Sequence, residues 1–280
     1  MAESPLVDLR GADDGNPQPR RGAQKCGLRD HSIIIGIHVA VVALWQAVVD
    51  FWGISSFILP SPPAMLATLA KPHYHWFANT FTTVQEVIGG YALAAALGVG
   101  SALMFSWSLI LFPLFVTLNM VPKIALGPLI IVWLGYGRGP NIVITFAISF
   151  FPVLLNTLRG SSEVELDLLD LVRALRGSRW QAFTKVQLPG SLPYIFSGMK
   201  IAAILAIAGA VVGEFVGSER GLGFLMIQVQ TSVDTGAMFM AVVLLTLVGV
   251  AVYLITIGLE RLCVVKDARL RSSSRRLERS

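Results

Sequence analysis

The chain has 280 residues, of which 54% are hydrophobic and only 14% are charged, and its mean hydropathy is +0.68. A soluble domain carries about a quarter charged residues, so this composition excludes an ordinary soluble enzyme or binding domain. A net charge of +5 can indicate nucleic-acid binding, but here the basic residues are distributed as in a membrane protein.

Long runs without Asp, Glu, Lys or Arg predict membrane-spanning helices. Such runs lie between Glu86 and Lys123, between Arg138 and Arg159, and between Asp234 and Glu260. Because about 20 apolar residues cross the ~30 Å hydrocarbon core, we predict an all-α, polytopic membrane helical bundle with about six transmembrane helices. The predicted crossings lie at about 33–52, 82–106, 109–135, 140–158, 192–216 and 236–258. Pro122 and Lys123 interrupt the third.

The positions of the basic residues predict the orientation. Most of the 22 Lys and Arg residues lie in the N-terminal tail, in the loop after the fourth crossing, and in the C-terminal tail. With six crossings these three segments share one side, and basic segments are cytoplasmic. We therefore predict a flexible cytoplasmic tail at 1–30, a transmembrane domain at 31–262 with a cytoplasmic loop at 160–190, and a basic cytoplasmic tail at 263–280.

The first outward segment predicts a turn into a short surface helix, since Pro62 and Pro63 suit a first helical turn. His73 and His75 are two potential metal ligands without a third, and Trp76 beside them favours an interfacial aromatic belt. The sequence contains no G-x-x-x-x-G-K-[ST] loop. We therefore expect no ATP binding, no cofactor and no metal in this chain.

Two lines of small residues at four-residue spacing predict close helix packing. They are Ala94, Gly98 and Ala102 in one crossing, and Ala202, Ala206 and Ala210 in another. Small side chains let helix backbones approach closely in lipid, so these lines indicate a compact bundle without specifying a function.

Polar and charged side chains at membrane depth are functional candidates, because burying them is costly. Glu214 either faces the bundle interior or lies solvated near the outer boundary, and the sequence leaves both open. Lys123 either attracts an anion or extends to water from the interface, and the pattern favours the second. Asn119 and Trp133 either line a pathway or bridge helices.

The loop after the fourth crossing predicts two short amphipathic helices. The apolar face of the first consists of Leu166, Leu168, Leu169, Val172 and Leu175. The second spans about Arg179–Val186 and is expected to end at Leu188-Pro189-Gly190. Two such helices either dock a partner or lie on lipid headgroups, and composition leaves both possibilities open.

The same loop carries a family pattern. The segments that carry it are Asp170-Leu171-Val172-Arg173-Ala174-Leu175-Arg176-Gly177-Ser178 and Val186-Gln187-Leu188-Pro189. Together they resemble the EAA loop of bacterial ABC importer permeases. The family pattern is Glu-Ala-Ala, three residues, Gly, nine residues, a branched apolar residue, one residue and Leu-Pro. This chain departs from it by having Asp170 for Glu, Leu171-Val172 for Ala-Ala, and Arg176 where the family has Gly.

Further motifs extend the resemblance over about residues 55–260. Pro122-Lys123-Ile124-Ala125, Pro128-Leu129 and Trp133-Leu134-Gly135 look like the third-crossing signature of the nitrate/sulfonate/taurine-type permeases. Segments similar to their outer loops are Leu59-Pro60-Ser61-Pro62, Gly213-Glu214 and Gly221-Leu222-Gly223.

The resemblance implies the type I ABC importer permease fold and a non-catalytic subunit of the bacterial inner membrane. Such permeases are usually homodimers with a separate ATPase, which binds ATP and Mg, and an extracytoplasmic solute-binding protein. The family's coupling helix would lie around Asp170–Trp180. Its ATPase-coupling residues would be Asp170, Leu171, Val172, Arg173, Leu175, Gly177, Ser178 and Trp180. The pathway candidates are Asn119, Lys123, Trp133 and Glu214.

The solute is expected to be small and anionic or polar, and the sequence does not identify it. An ion-gradient-driven secondary transporter is the alternative. That class often shows two similar halves with interrupted helices, and no clear internal repeat is visible here. The partners expected from the resemblance are the ATPase, the binding protein, a second copy and membrane lipid, without nucleic acid.

Overall fold

The computed structural model describes residues 28–105, 112–163 and 166–277. Contacts divide the chain into two units, residues 1–47 and 48–280. Helix α1 (Leu28–Phe51) belongs mostly to the first unit, and its apolar stretch Ile35–Phe51 lies in the first predicted crossing but is shorter than the helices that qualify as membrane spans. The tail predicted at 1–30 lies almost wholly outside the described residues.

The second unit contains the remaining helices. They are α2 (Pro62–Ala67), α3 (Trp76–Phe105), α4 (Phe112–Asn119), α5 (Gly127–Leu134), α6 (Arg138–Ser162), α7 (Leu166–Ala174), α8 (Arg179–Ala182), α9 (Leu188–Gly217), α10 (Leu222–Thr231) and α11 (Thr235–Leu277). Short 3-10 turns at Thr68–Ala70 and Pro72–Tyr74 lead into α3, and another at Lys123–Leu126 leads into α5. The predicted surface helix is confirmed as α2, whose start contains Pro62 and Pro63.

Long apolar helices match the predicted crossings. Four described helices are long and apolar enough to cross a membrane: Pro72–Phe105, Arg138–Ser162, Arg179–Gly217 and Thr235–Val264. The pair Pro113–Asn119 and Lys123–Leu134, which meet at an angle of 67°, is long and apolar enough for a fifth span only when its two helices are counted together. The predicted interruption at Pro122 and Lys123 is therefore confirmed as a sharp break.

Helix α6 lies at the centre of the bundle, packed against α3 and α9. Thr145 of α6 marks the closest approach. A Cβ built on Gly90 of α3 or on Gly209 of α9 would overlap Thr145, so glycine is required at both contacts. The predicted lines of small residues are buried in the same packing, which confirms their role.

The contacts along the helices define two ends of the bundle. At one end, which we call the loop end, Gly160 near the end of α6 packs on Tyr194 near the start of α9. At the other end, which we call the far end, Asn141 near the start of α6 packs on Gly213 of α9. The loop end carries residues 163–187, and the far end carries the α5–α6 turn and residues 218–234.

One predicted boundary is wrong. Leu188-Pro189-Gly190 does not end a helix: Arg179–Gly217 is one helical stretch of 39 residues. Its segment Phe183–Gln187 is a π-type turn in which the Leu188 N–H donates to the Phe183 carbonyl, and such a widened turn accommodates the proline that follows. Helix α3 begins at Trp76, before the crossing predicted at about 82–106, so Glu86 lies well inside the helix.

Candidate functional site

The family-like loop folds as two helices at the loop end, which matches the two short helices predicted from its sequence. Helix α7 contains Asp170, Leu171 and Val172, and α8 begins after Ser178. The Ser178 hydroxyl accepts from the Gln181 N–H, and the Gln181 side chain accepts from the Ser178 N–H. This reciprocal cap fixes the start of α8 within its own first turn. The expected single coupling helix over Asp170–Trp180 is therefore interrupted between α7 and α8.

The turn between the two helices explains why the family pattern has a glycine at the position of Arg176. The Gly177 N–H donates to the Val172 carbonyl at 2.8 Å, and Arg176 has φ 55°. This is the arrangement in which a left-handed residue ends a helix, a position that glycine usually occupies. In the family pattern the Gly falls at this place. Arg176 thus departs from the pattern in residue type while keeping the backbone turn, at a cost of roughly 1–2 kcal/mol.

Apolar side chains of this loop are exposed. Leu175 is 75% exposed, Trp180 is 69% exposed, and Leu171 is also exposed. The Trp180 ring lies 5.7 Å from the Phe183 ring, centroid to centroid. A cavity of about 310 Å³ lies between α7 and α8, lined by Leu169, Val172, Gly177, Ser178, Arg179, Ala182 and Gln187. The side chain of Arg173 lies outside the described residues.

Two of the four pathway candidates meet at the break between α4 and α5. Lys123 Nζ donates to the Asn119 carbonyl at 2.7 Å and to Asn119 Oδ1 at 2.8 Å. The same ammonium group lies 4.8 Å from the centroid of the Phe151 ring. Lys123 therefore folds back onto the broken helix instead of extending away from it. Trp133 of α5 is 70% exposed and does not belong to this group.

Glu214, the fourth candidate, lies in a buried polar cluster at the far end. It is only 1% exposed, so the solvated alternative is wrong. Its carboxylate accepts from the Thr83 hydroxyl at 2.5 Å and from the Gly223 N–H. The Leu222 N–H donates to Thr83 Oγ1 at 2.8 Å, and the Gly221 N–H donates to Asn79 Oδ1 at 3.0 Å. Side chains of α3 and α9 thus cap the buried start of α10.

Sequence reasoning missed the second carboxyl group of this cluster. Glu86 is fully buried, accepts from Asn141 Nδ2 at 3.0 Å, and lies within hydrogen-bonding reach of Glu214. The signal was present in the sequence, since the first part of the helix carries a run of polar residues: Asn79, Thr80, Thr82, Thr83, Gln85 and Glu86. Because Glu86 lies near the start of the crossing predicted at about 82–106, the sequence does not mark it as a site candidate.

The cluster joins three helices through polar contacts. Asn141 brings α6 to Glu86 of α3, and Glu214 brings α9 to Thr83 of α3. Buried carboxyl groups need such partners, because an unpaired buried charge is costly. Among the described residues, no group of three or more His, Cys, Asp or Glu side chains has the arrangement of a metal site.

Comparisons with known proteins identify the family. The family model for the binding-protein-dependent transport system inner membrane component matches residues 76–263, from α3 into α11. The chain is 33% identical over 225 residues to a probable ABC transporter permease protein of Haemophilus influenzae, with 79% of this chain and 91% of the relative covered. It is 32% identical over 243 residues to the riboflavin transport system permease protein of Chloroflexus aurantiacus, with 84% and 91% covered.

A putative aliphatic sulfonates transport permease protein of Bacillus subtilis is 28% identical over 215 residues, with 75% of this chain and 78% of the relative covered. These matches confirm the resemblance carried by the loop and by the third-crossing motifs. The matched residues include both the loop end and the buried cluster at the far end. The chain therefore belongs to the binding-protein-dependent transport system inner membrane components, as a multi-pass permease subunit of an ABC importer.

Proposed function

We propose that this permease forms the pathway for a small anionic or polar organic solute and docks on a separate ATPase through α7 and α8. In this proposal the ATPase binds ATP and Mg, and an extracytoplasmic binding protein delivers the solute. The relatives are named for transport of solutes as different as riboflavin, aliphatic sulfonates and nitrate. The solute class therefore rests on the chemistry of this chain rather than on its relatives.

The exposed side chains of the loop end support ATPase docking. A water-facing loop gains nothing by exposing Leu175 and Trp180, whose burial against a partner would contribute about 1.5–3 kcal/mol each. Trp is also the residue type most enriched among the side chains that dominate protein interfaces. The adjacent groove of about 310 Å³ gives a partner side chain a place to enter. These features favour protein docking over contact with lipid headgroups.

The observation that carries the coupling proposal is the continuous helical stretch Arg179–Gly217. At about 1.5 Å per residue, its 39 residues reach from Trp180 at the loop end to Glu214 at the far end. A rigid element that both sites touch is the physical requirement for coupling between distant sites. Movement of α8 by the ATPase would therefore shift the far end directly.

The break between α4 and α5 supports a pathway along this part of the bundle. Interrupted helices in transporters commonly mark solute sites, because their backbone and side-chain polar groups become available inside the membrane. Asn119 and Lys123 supply such groups here. We propose that they line the pathway together with Trp133, and that Glu214 acts on it by fixing the far end.

Orientation and assembly complete the proposal. The basic loop and both termini face the cytoplasm of a bacterial inner membrane, as the distribution of Lys and Arg indicates. A second copy of the chain covers part of the exposed face of α5, where Val132, Trp133 and Leu134 project outward. Lipid covers the remaining apolar surface.

The test is co-purification of the full-length chain in detergent with the ATPase subunit encoded beside it, followed by an ATPase assay. We expect a complex with two copies of each chain. The double variant Arg173→Glu/Trp180→Ala should lose at least about tenfold in ATPase affinity, the effect of removing one dominant interface contact. Phe77→Ala is the matched control, because Phe77 is an 85% exposed aromatic residue outside the loop end.

Unchanged co-purification of the double variant would remove the docking assignment. A chain that remains alone and transports with an ion gradient in proteoliposomes, without ATP, would replace the importer mechanism with that of a secondary transporter. Comparable losses in Phe77→Ala would show that the double variant acts through general destabilisation.

A further inference from the structure

A small polar cavity opens at the far end beside the buried cluster, whose Glu86 carboxyl interacts electrostatically with Arg138 of the cavity lining. Its volume is about 210 Å³, and it is lined by Thr82, Tyr136, Gly137, Arg138, Ser218, Glu219 and Arg220. The Gly137 N–H donates to the Gly217 carbonyl at 3.2 Å, which ties the α5–α6 turn to the end of α9. The two segments that carry the arginines are therefore held together by the backbone.

The charge in this cavity is unusual for its position. Outside the N-terminal tail, the segment from Arg159 to Lys200 and the C-terminal residues from Arg261 onward, the sequence contains only Lys71, Lys123, Arg138 and Arg220 as Lys or Arg cations. Lys71 is paired with Asp234 at 2.8 Å, and Lys123 is bonded to Asn119. Both remaining cations line this one cavity. Within residues 28–105, 112–163 and 166–277, neither arginine takes part in an ion pair.

The neighbouring groups strengthen the attraction for an anion. Two guanidinium groups and the Glu219 carboxylate leave a net positive charge at the rim. The 25-residue helix α6 begins at Arg138, and no side chain caps its start at Gly137. The positive end of the helix dipole therefore adds to the arginines. The Tyr136 hydroxyl supplies a further donor, whereas the hydroxyls of Ser218 and Thr82 donate to the Arg220 and Ala78 carbonyls.

The size of the cavity decides what part of a ligand it takes. A pocket for a whole drug-sized molecule measures about 300–1,000 Å³, so 210 Å³ suits one charged group. Arginine's planar fork matches carboxylate, sulfonate and phosphate oxygens in pairs. We propose that this cavity binds the anionic group of the transported solute, as its first contact with the permease.

This inference rests on the proposed function, because the proposed orientation places the far end on the side from which the solute arrives. It narrows the solute to molecules with a carboxylate, sulfonate or phosphate group. A lipid phosphate has the same chemistry as the anionic group of a solute, so the experiment includes an arm for each source.

The experiment measures equilibrium binding of radiolabelled sulfate to the full-length chain in nanodiscs of zwitterionic lipid. We expect saturable binding by the wild type, and affinity at least about tenfold lower in Arg138→Gln and in Arg220→Gln, as the loss of one charge-assisted hydrogen-bonded contact predicts. Arg138→Lys should retain part of the binding, which excludes misfolding as the cause of the loss. Lys71→Gln is the control, since it removes the same charge from an ion pair outside the cavity.

Four outcomes overturn the inference. The first is the absence of saturable sulfate binding, and the second is an equal loss of sulfate binding in Lys71→Gln. The third is competition by phosphatidylglycerol that depends on both arginines, which places a lipid phosphate in the site. The fourth is that the arginine variants lose only the capture of the binding protein. ATPase co-purification is measured on the same variants. If co-purification persists while sulfate binding does not depend on the arginines, only this inference fails; if co-purification is absent, the proposed function fails.

Discussion

The two ends of the bundle cap their helices in opposite ways. At the loop end, α8 is capped by Gln181 from its own first turn, and the apolar side chains around it are exposed. At the far end, α10 is capped by Thr83, which is 139 positions away in sequence, and by Glu214 of the preceding helix, and both are buried. A locally capped helix can form before any partner arrives, whereas α10 depends on the assembled bundle. The loop end is suited to docking a partner, and the far end is suited to holding the helices of the bundle together.

The largest expected effect comes from removing the carboxylate that closes the far end. Glu214→Ala leaves the buried Gly223 N–H without its acceptor and removes one of the two acceptors of the Thr83 hydroxyl, which keeps the Asn79 carbonyl. We expect a loss of about 3–5 kcal/mol in unfolding free energy, the range found when a buried charged network is broken. The measurement is thermal unfolding of the purified chain in detergent. Glu219→Ala, at an exposed neighbouring carboxylate, should stay within about 0.5 kcal/mol; equal effects would contradict the contrast.

Gly221→Ala tests the same buried contact, between Glu214 and the start of α10, by changing the residue that faces Glu214. Gly221 has φ +124°, and a Cβ there would overlap the Glu214 carboxyl group. We expect a loss of about 3 kcal/mol from backbone strain and displacement of Glu214. Gly100→Ala in α3, where a Cβ meets no atom within 4 Å, should instead stabilise the chain by about 0.5–1 kcal/mol. The same unfolding assay checks both signs, and destabilisation of similar size at both positions would contradict the assignment.

A smaller effect is expected at the turn before α11. Burial raises the pKa of the Asp234 carboxyl, but hydrogen bonds from Lys71, Tyr74 and the Ala237 N–H together lower it below its ordinary value. The stabilisation is therefore present above the ordinary range of an aspartate pKa and is lost as pH falls through the lowered value. Asp234→Asn should cost about 1–2 kcal/mol at neutral pH.

Measurement of unfolding as a function of pH checks this assignment. The difference between the wild type and Asp234→Asn should shrink as the pH falls below about 4. A difference that stays constant down to the lowest pH at which the chain remains soluble would show that the carboxylate's charge contributes nothing at this turn.

The smallest expected effect is at the loop end and has the opposite sign. Arg176→Gly relieves a left-handed residue in the α7–α8 turn and should stabilise that turn by about 0.5–1 kcal/mol. Chymotrypsin cleavage after Leu175 and Trp180 should then slow by about threefold. Arg179→Gly is the matched control: it places the same residue at the first position of α8, where glycine weakens the helix. Faster cleavage of Arg176→Gly than of the wild type would contradict the turn assignment.

Much of the bundle could be predicted from sequence because membranes impose strong local rules. Charge-free runs indicated the long helices, and Pro122 with Lys123 indicated the break between α4 and α5. The helix that continues through Pro189 could not be predicted, because a proline normally ends a helix and the widened turn that accommodates it has no clear sequence signature.

The candidate site likewise has one part that could be predicted from the sequence and one part that could not. The loop end could be identified, since its motif and its capping residues lie close together in the chain. The far-end cluster could not, because its members are brought together only by the packing of α3, α6 and α9. Thr83 and Glu214, for example, are separated by 131 positions. In the sequence Asn141 is an ordinary helix residue, and only the folded structure shows that it contacts Glu86.

The hydrogen bonds that hold the start of α10 determine how the far end opens. The N–H groups of Gly221, Leu222 and Gly223 are each bonded to a side chain of α3 or α9. Local fraying of α10 alone is costly, since it leaves three buried acceptors on α3 and α9 without their donors. The three amide hydrogens should therefore exchange with solvent only when the whole far end separates cooperatively. The exchange rate of those three amides therefore reports how often the far end opens.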